Sequence, residues 1–114
     1  MVDHIKILTD ESFYLMQEET EFPRIILFET SWCGTCHLMN RILDRLACDF
    51  KHQIHFFRMD VETNKIVPER FHILEIPSLL MICNGQVIQK IEGIISRKDL
   101  EKKIIALIEL SSHR

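Results

Sequence analysis

The chain has 114 residues, the length of one domain, and 46% of them are hydrophobic, enough for a core. Three glycines and three prolines exclude a linker-rich or low-complexity chain, and a net charge of −3 carries no electrostatic footprint for nucleic acid or an anionic membrane. No apolar run approaches the roughly 18–20 residues of a membrane span, and Met1-Val2-Asp3-His4-Ile5-Lys6 lacks the apolar stretch of a signal peptide. A cytoplasmic location is therefore expected, where paired cysteines serve catalysis or metal binding rather than structure.

Ile5–Leu8 predicts a short edge strand. Thr9 or Asp10 caps a helix running to about Glu18, with Phe13, Leu15 and Met16 on its buried side. Glu18, Glu19 and Glu21 read as a solvated helix end. Arg24–Glu29 is almost entirely apolar, as expected of a strand covered on both faces. Residues 33–50 form a long helix, in which Leu38, Met39, Ile42, Leu43, Leu46 and Ala47 recur at helical spacing. Ile54–Met59 is a second buried strand, and Asn64–Phe71 is a short helix or turn around Pro68.

Ser78–Cys83 and Gln86–Ile91 flank Asn84-Gly85, the strongest short-range signal for a tight hairpin. Ser96, with Asp99 three residues on, opens the last helix, whose apolar face is Leu100, Ile104, Leu107 and Ile108. The order β-α-β-α-β-α-β-β-α, without repeats or an internal boundary, predicts an α/β fold. It is a three-layer α/β/α sandwich around one mixed sheet, parallel early and closed by an antiparallel hairpin.

The chemistry concentrates in Trp32-Cys33-Gly34-Thr35-Cys36. Two cysteines separated by two residues close a small disulfide or remain a dithiol. At the first turn of a helix the leading sulfur faces unpaired N–H groups and the positive end of the dipole. Both stabilise the thiolate, the form that attacks disulfides. Two other readings compete. A zinc or iron–sulfur site needs about four ligands, and only Cys48 and Cys83 remain, without a second CxxC. Cys33-Gly34-Thr35-Cys36-His37 also matches the haem c attachment pattern, which requires export. His37 reads instead as a surface residue whose cationic form favours a Cys33 thiolate.

Phe28, Trp32-Cys33-Gly34-Thr35-Cys36, Asp60, Ile76-Pro77-Ser78, Asn84-Gly85 and Gly93 together resemble the thioredoxin family over nearly the whole chain, as one thioredoxin-like domain spanning 1–114. The resemblance implies that Cys33 is the exposed attacking cysteine and Cys36 the deeper one that releases the target. It implies a cis Ile76–Pro77 bond facing the cysteines, with the Ile76 backbone pairing to an extended substrate. Trp32 packs beside the disulfide as an apolar platform, and Gly34 and Gly93 permit close approach of a partner. No bound cofactor or metal is implied. The implied partners are protein disulfides and an electron donor such as a thioredoxin reductase or a small thiol, acting on a monomer.

The departures are specific. Leu27 stands where the family usually has a buried Asp, and Phe56 where it has the partnering Lys. Removing both avoids a buried unpaired charge. Cys36 then needs another proton acceptor. Glu29 is a candidate, on the same strand face as Leu27 and at a position where the family often has Trp. Thr35 replaces the usual proline and restores a backbone donor near Cys33, which favours the reduced form and a more oxidising couple. Arg41 replaces a helix-kinking proline, so a straighter helix is expected. Cys48 and Cys83 read as free thiols, with Cys83, beside the turn, open to exposure and oxidation. The function expected is thiol–disulfide oxidoreductase. The alternative is a thioredoxin-fold binding module with incidental redox activity.

Overall fold

The computed structural model describes residues 4–16 and 22–112. In chain order it has β1 (Ile5–Ile7), α1 (Asp10–Met16), β2 (Arg24–Glu29), α2 (Gly34–Phe50) and β3 (His55–Asp60), then α3 (Ile66–Arg70), β4 (Ser78–Cys83), β5 (Gln86–Glu92) and α4 (Arg97–Ser112). The strands form one sheet in the order β1-β3-β2-β4-β5. β1 and β2 run parallel to β3, while β4 is antiparallel to β2 and to β5. This is the expected mixed sheet with an antiparallel hairpin.

Strand alternation sorts β2 between two cores. Ile25 and Leu27 join Met39, Leu43, Leu46 and Ala47 of α2 and Leu100, Ile104 and Leu107 of α4 on one face. Ile26 and Phe28 join Phe13 of α1 and Val67 of α3 on the other. β2 is covered on both faces, which explains its unbroken apolar run. No helix among the described residues is long and apolar enough to cross a membrane.

Local signals account for the element ends. Thr9 and Ser12 cap α1 reciprocally: the Ser12 amide donates to Thr9 Oγ1 at 3.0 Å and the Thr9 amide to Ser12 Oγ at 2.8 Å. Asp10 has a different task, accepting from the Ile66 and Val67 amides at 3.1 and 2.8 Å. It thereby caps α3 from the start of α1. Asn84 and Gly85 both have positive φ, 55° and 76°, as a tight hairpin turn of this hand requires. The Asp99 amide donates to Ser96 Oγ at 3.1 Å, so Ser96 starts α4 as expected.

Several expectations are corrected. Leu15 is 73% exposed, because so short a helix turns only Phe13 fully inward among its described side chains. Leu38 faces solvent, since it is turned about 100° around α2 from the buried Met39 and about 140° from Leu43. The second buried strand begins at His55 rather than Ile54, although Ile54 is buried. Cys83 is buried at the end of β4, whose six residues are all covered, and Cys48 is the exposed free thiol. The Met16 side chain, the helix beyond Met16 and the acidic residues Glu18, Glu19 and Glu21 lie outside the described residues.

Candidate active site

One end of the sheet gathers the residues singled out in the sequence. β2 and β3 end together, with Glu29 opposite Asp60. β4 starts at that same end, with Ser78 opposite both Phe28 and Glu92. The loop from Thr30 to Cys33, the Ile76–Pro77 bond and Gly93 therefore converge there. The Ile76–Pro77 bond is cis, as the resemblance implies. The Gly93 amide donates to the Pro77 carbonyl at 2.8 Å, and Ser78 Oγ donates to the Glu75 carbonyl at 2.6 Å. These two bonds hold the proline loop from both sides. Gly93 has a φ of 81°, a backbone conformation that favours glycine.

Cys33 and Cys36 form a disulfide with Cα atoms 5.2 Å apart. Cys33 is the N-cap of α2, in extended conformation, and its sulfur accepts from the Cys36 amide at 3.1 Å. The sulfur thus sits where a cap oxygen ordinarily sits, against the free amides of the helix start. Any negative charge that develops on Cys33 meets that amide and the helix dipole. Cys33 is 9% exposed and Cys36 is 1% exposed. The order of access is the one expected, but Cys33 is only a narrow opening rather than an exposed side chain.

The neighbours refine other expectations. Trp32 is 69% exposed and its indole Nε1 donates to Glu62 Oε1 at 2.9 Å, so the ring stands out from the surface on a tether instead of packing down. Thr35 does bring a donor to Cys33, but through its hydroxyl: Oγ1 lies 3.3 Å from the sulfur. A disulfide sulfur has no hydrogen, so the hydroxyl donates. Gly34 borders open space. The exposed His37 ring lies with Nε2 3.2 Å from the Ser31 carbonyl, bracing the loop before the disulfide.

Leu27 and Phe56 are both buried in the core under α2, an apolar substitute for an ion pair. Glu29, two residues on, accepts a hydrogen bond from the Asn40 amide group, and Asn40 Nδ2 also lies 3.3 Å from the Cys36 carbonyl. Glu29 is thereby joined to Cys36 through Asn40. Glu29 and Asn40 border a cavity of about 350 Å³ together with Thr30, Ser31, His37, Asp44, Arg58 and Asp60. Asn40, Thr30 and Glu62 were not found by sequence reasoning. Asn40 had a signal, being a polar residue one turn beyond Cys36 on the inward side of α2. Among the described residues, no group of three or more His, Cys, Asp or Glu side chains is placed to hold a metal ion.

A disulfide held at a helix start, at the ends of parallel strands and beside a cis-proline loop, places the molecule among the dithiol proteins that exchange disulfides with other thiols. The thioredoxin family model matches residues 4–106, and the chain belongs to the thioredoxin family. It is 31% identical to a thioredoxin of Haemophilus influenzae over 93 residues, which cover 82% of this chain and 87% of that one. It is 28% identical to the chloroplastic thioredoxin M4 of Arabidopsis thaliana, over 85% of this chain and 50% of that protein. A bifunctional thioredoxin reductase/thioredoxin of Mycobacterium leprae is 28% identical over 75% of this chain, which is 19% of its length. A solved chain from work on thiol resolution in yeast mitochondrial 1-Cys peroxiredoxin via glutathione/thioredoxin systems superposes with a TM-score of 0.82 at 25% identity. That match covers 93% of this chain and 100% of the other. The fold is the thioredoxin fold, and the protein is a thiol–disulfide oxidoreductase of the thioredoxin type.

Proposed function

We propose that Cys33 is the attacking cysteine and Cys36 the releasing one in exchange with protein disulfides. The Cys33 thiolate attacks one sulfur of the target disulfide. A mixed disulfide forms and the other target sulfur leaves as thiolate. The Cys36 thiolate then attacks the Cys33 sulfur, closing the internal disulfide and expelling the second target thiolate. Two electrons have passed from the dithiol to the target. The observation that carries this assignment is the bond from the Cys36 amide to the Cys33 sulfur at the start of α2.

The Ile76 backbone, ahead of a buried Pro77, pairs with the extended target chain, and Trp32 and Gly93 flank it. Glu29, linked through Asn40 to the Cys36 backbone, accepts the Cys36 proton that Leu27 cannot. The partners are protein disulfides and a reductase or small-thiol donor, and the protein works as a cytoplasmic monomer without a cofactor. The thioredoxin reductase joined to a relative of this chain supports a reductase as donor.

The test is the Cys33–Cys36 reduction potential, equilibrated against dithiothreitol and glutathione. A value near or below about −250 mV marks a reductase, since thioredoxin lies near −270 mV, and one above about −200 mV marks an oxidant or isomerase. The variant C33S/C36S separates exchange from binding. It should lose all turnover, and full retention of function by it would instead mean a docking module.

A further inference from the structure

We infer that the cavity under the Thr30–Cys33 loop receives a cationic side chain, arginine or lysine, of the protein whose disulfide is exchanged. The assignment rests on the exchange reading above and adds a specificity to it. Glu29 stands where the family often has a tryptophan. The cavity holds about 350 Å³, within the range of side-chain and small-ligand pockets.

The lining fits a cation. Glu29 and Asp60 end neighbouring parallel strands in direct register, so two carboxylates face one cavity from adjacent strand ends. Like charges placed so repel unless a counter-charge enters. Arg58 and Asp44 also line the cavity, but Arg58 Nη2 is 3.2 Å from Asp44 Oδ1, so these two offset each other. Glu29 and Asp60 keep their negative charge, Glu29 accepting from Asn40 and Asp60 Oδ1 from the Glu62 amide at 2.7 Å, and the His37 ring completes the lining.

A second observation is independent of charge. Thr30 is 3% exposed and lines the cavity, yet its hydroxyl oxygen has no hydrogen-bond partner among the described residues. The Asn40 side-chain oxygen is likewise buried without a partner. Buried polar atoms are nearly always paired, so an amide oxygen that can only accept, beside a hydroxyl that can also accept, marks a place for a donor. Guanidinium and ammonium groups supply several donors and a positive charge together. Thr30 and Ser31 precede Trp32-Cys33 and His37 follows Cys36, so the cavity wall adjoins the CxxC segment in the chain.

Oxidised protein is titrated at constant ionic strength with methylguanidinium, methylammonium or neutral methylurea, following backbone amide NMR shifts. Saturable shifts at Thr30, Ser31 and Asn40 are expected for a cation, with half-saturation at least about tenfold lower than for methylurea. The stronger cation distinguishes an arginine site from a lysine site. Glu29→Gln should weaken this binding about fivefold or more, and the isosteric Thr30→Val, which keeps Glu29, should weaken it as well. Equal, unsaturable shifts for all three compounds would overturn the inference, as would binding unchanged in both variants. A second arm compares kcat/KM for disulfide peptides with arginine, lysine or neutral citrulline at each flanking position. An advantage for a charged residue at one position is expected, and none at any position would also overturn it. The titration needs no turnover, so a protein that binds the cation but exchanges none of the three peptides would sink the exchange reading alone.

Discussion

The Thr35 hydroxyl donates to the Cys33 sulfur across 3.3 Å. The bond strengthens when that sulfur becomes a thiolate, because charge-assisted hydrogen bonds are the stronger ones. It therefore favours the reduced state over the disulfide. Thr35→Val, nearly the same shape without the donor, should make the couple more reducing by about 30 mV, the equivalent of about 1.4 kcal/mol. Equilibration with dithiothreitol reads the change. A potential that does not move would mean the hydroxyl serves both oxidation states equally.

Cys36 is almost wholly buried, and Leu27, at the position where the family usually has an acid, has no proton-accepting group. The thiolate of Cys36 is needed to release the target, and its population grows as pH rises. Turnover should therefore climb between about pH 6 and 9, and Glu29→Gln should shift that climb to higher pH. Stopped-flow rates on one disulfide substrate across that interval decide the matter. A flat profile in the parent protein would remove the need for any acceptor.

The apolar pair under α2 makes a stability prediction. Leu27→Asp alone places a carboxylate in an apolar core and should cost about 3 kcal/mol or more. Adding Phe56→Lys should recover part of the loss, because the two positions share one core cluster on neighbouring strands. Urea unfolding of the two single variants and the double variant gives the coupling. Strict additivity would show that the two sites do not sense each other.

Asp10 bridges two helices that the sequence separates by more than fifty residues, taking the first amides of α3. Asp10→Ala should destabilise the protein by about 1–2 kcal/mol, the usual effect of a lost cap. Thr9 and Ser12 keep the start of α1 intact, so helix content measured by circular dichroism should hold at low temperature. A substitution without effect on the urea midpoint would rule out the bridge as a stabilising contact.

Much of this was legible in the sequence, for identifiable reasons. β2 and β4 declared themselves because burial on both faces selects long apolar runs, with only Arg24 and Ser78 as buried polar members. Asn84-Gly85 declared the hairpin because few residues accept two successive positive φ values. The CxxC and Ile76-Pro77-Ser78 segments carried the site because their chemistry depends on spacing within one stretch of chain. What stayed hidden depended on encounters between distant segments. Trp32 meets Glu62, Asp10 meets Ile66 and Val67, and Glu29 meets Asn40, and no local rule links such partners. Leu15 misled for a different reason. An apolar residue on a short helix has no obligation to face inward, and single exposed hydrophobic side chains are ordinary.

Cys48 stands exposed on α2 while Cys83 is sealed in β4. With Cys33 and Cys36 joined, Cys48 is the thiol that a colorimetric reagent or a maleimide dye meets first. Every titration of this protein's thiols thus begins from a baseline of one exposed thiol outside the Cys33–Cys36 pair. Blocking it by Cys48→Ser leaves a spectroscopically silent oxidised state, against which the opening of the disulfide is read as the whole signal.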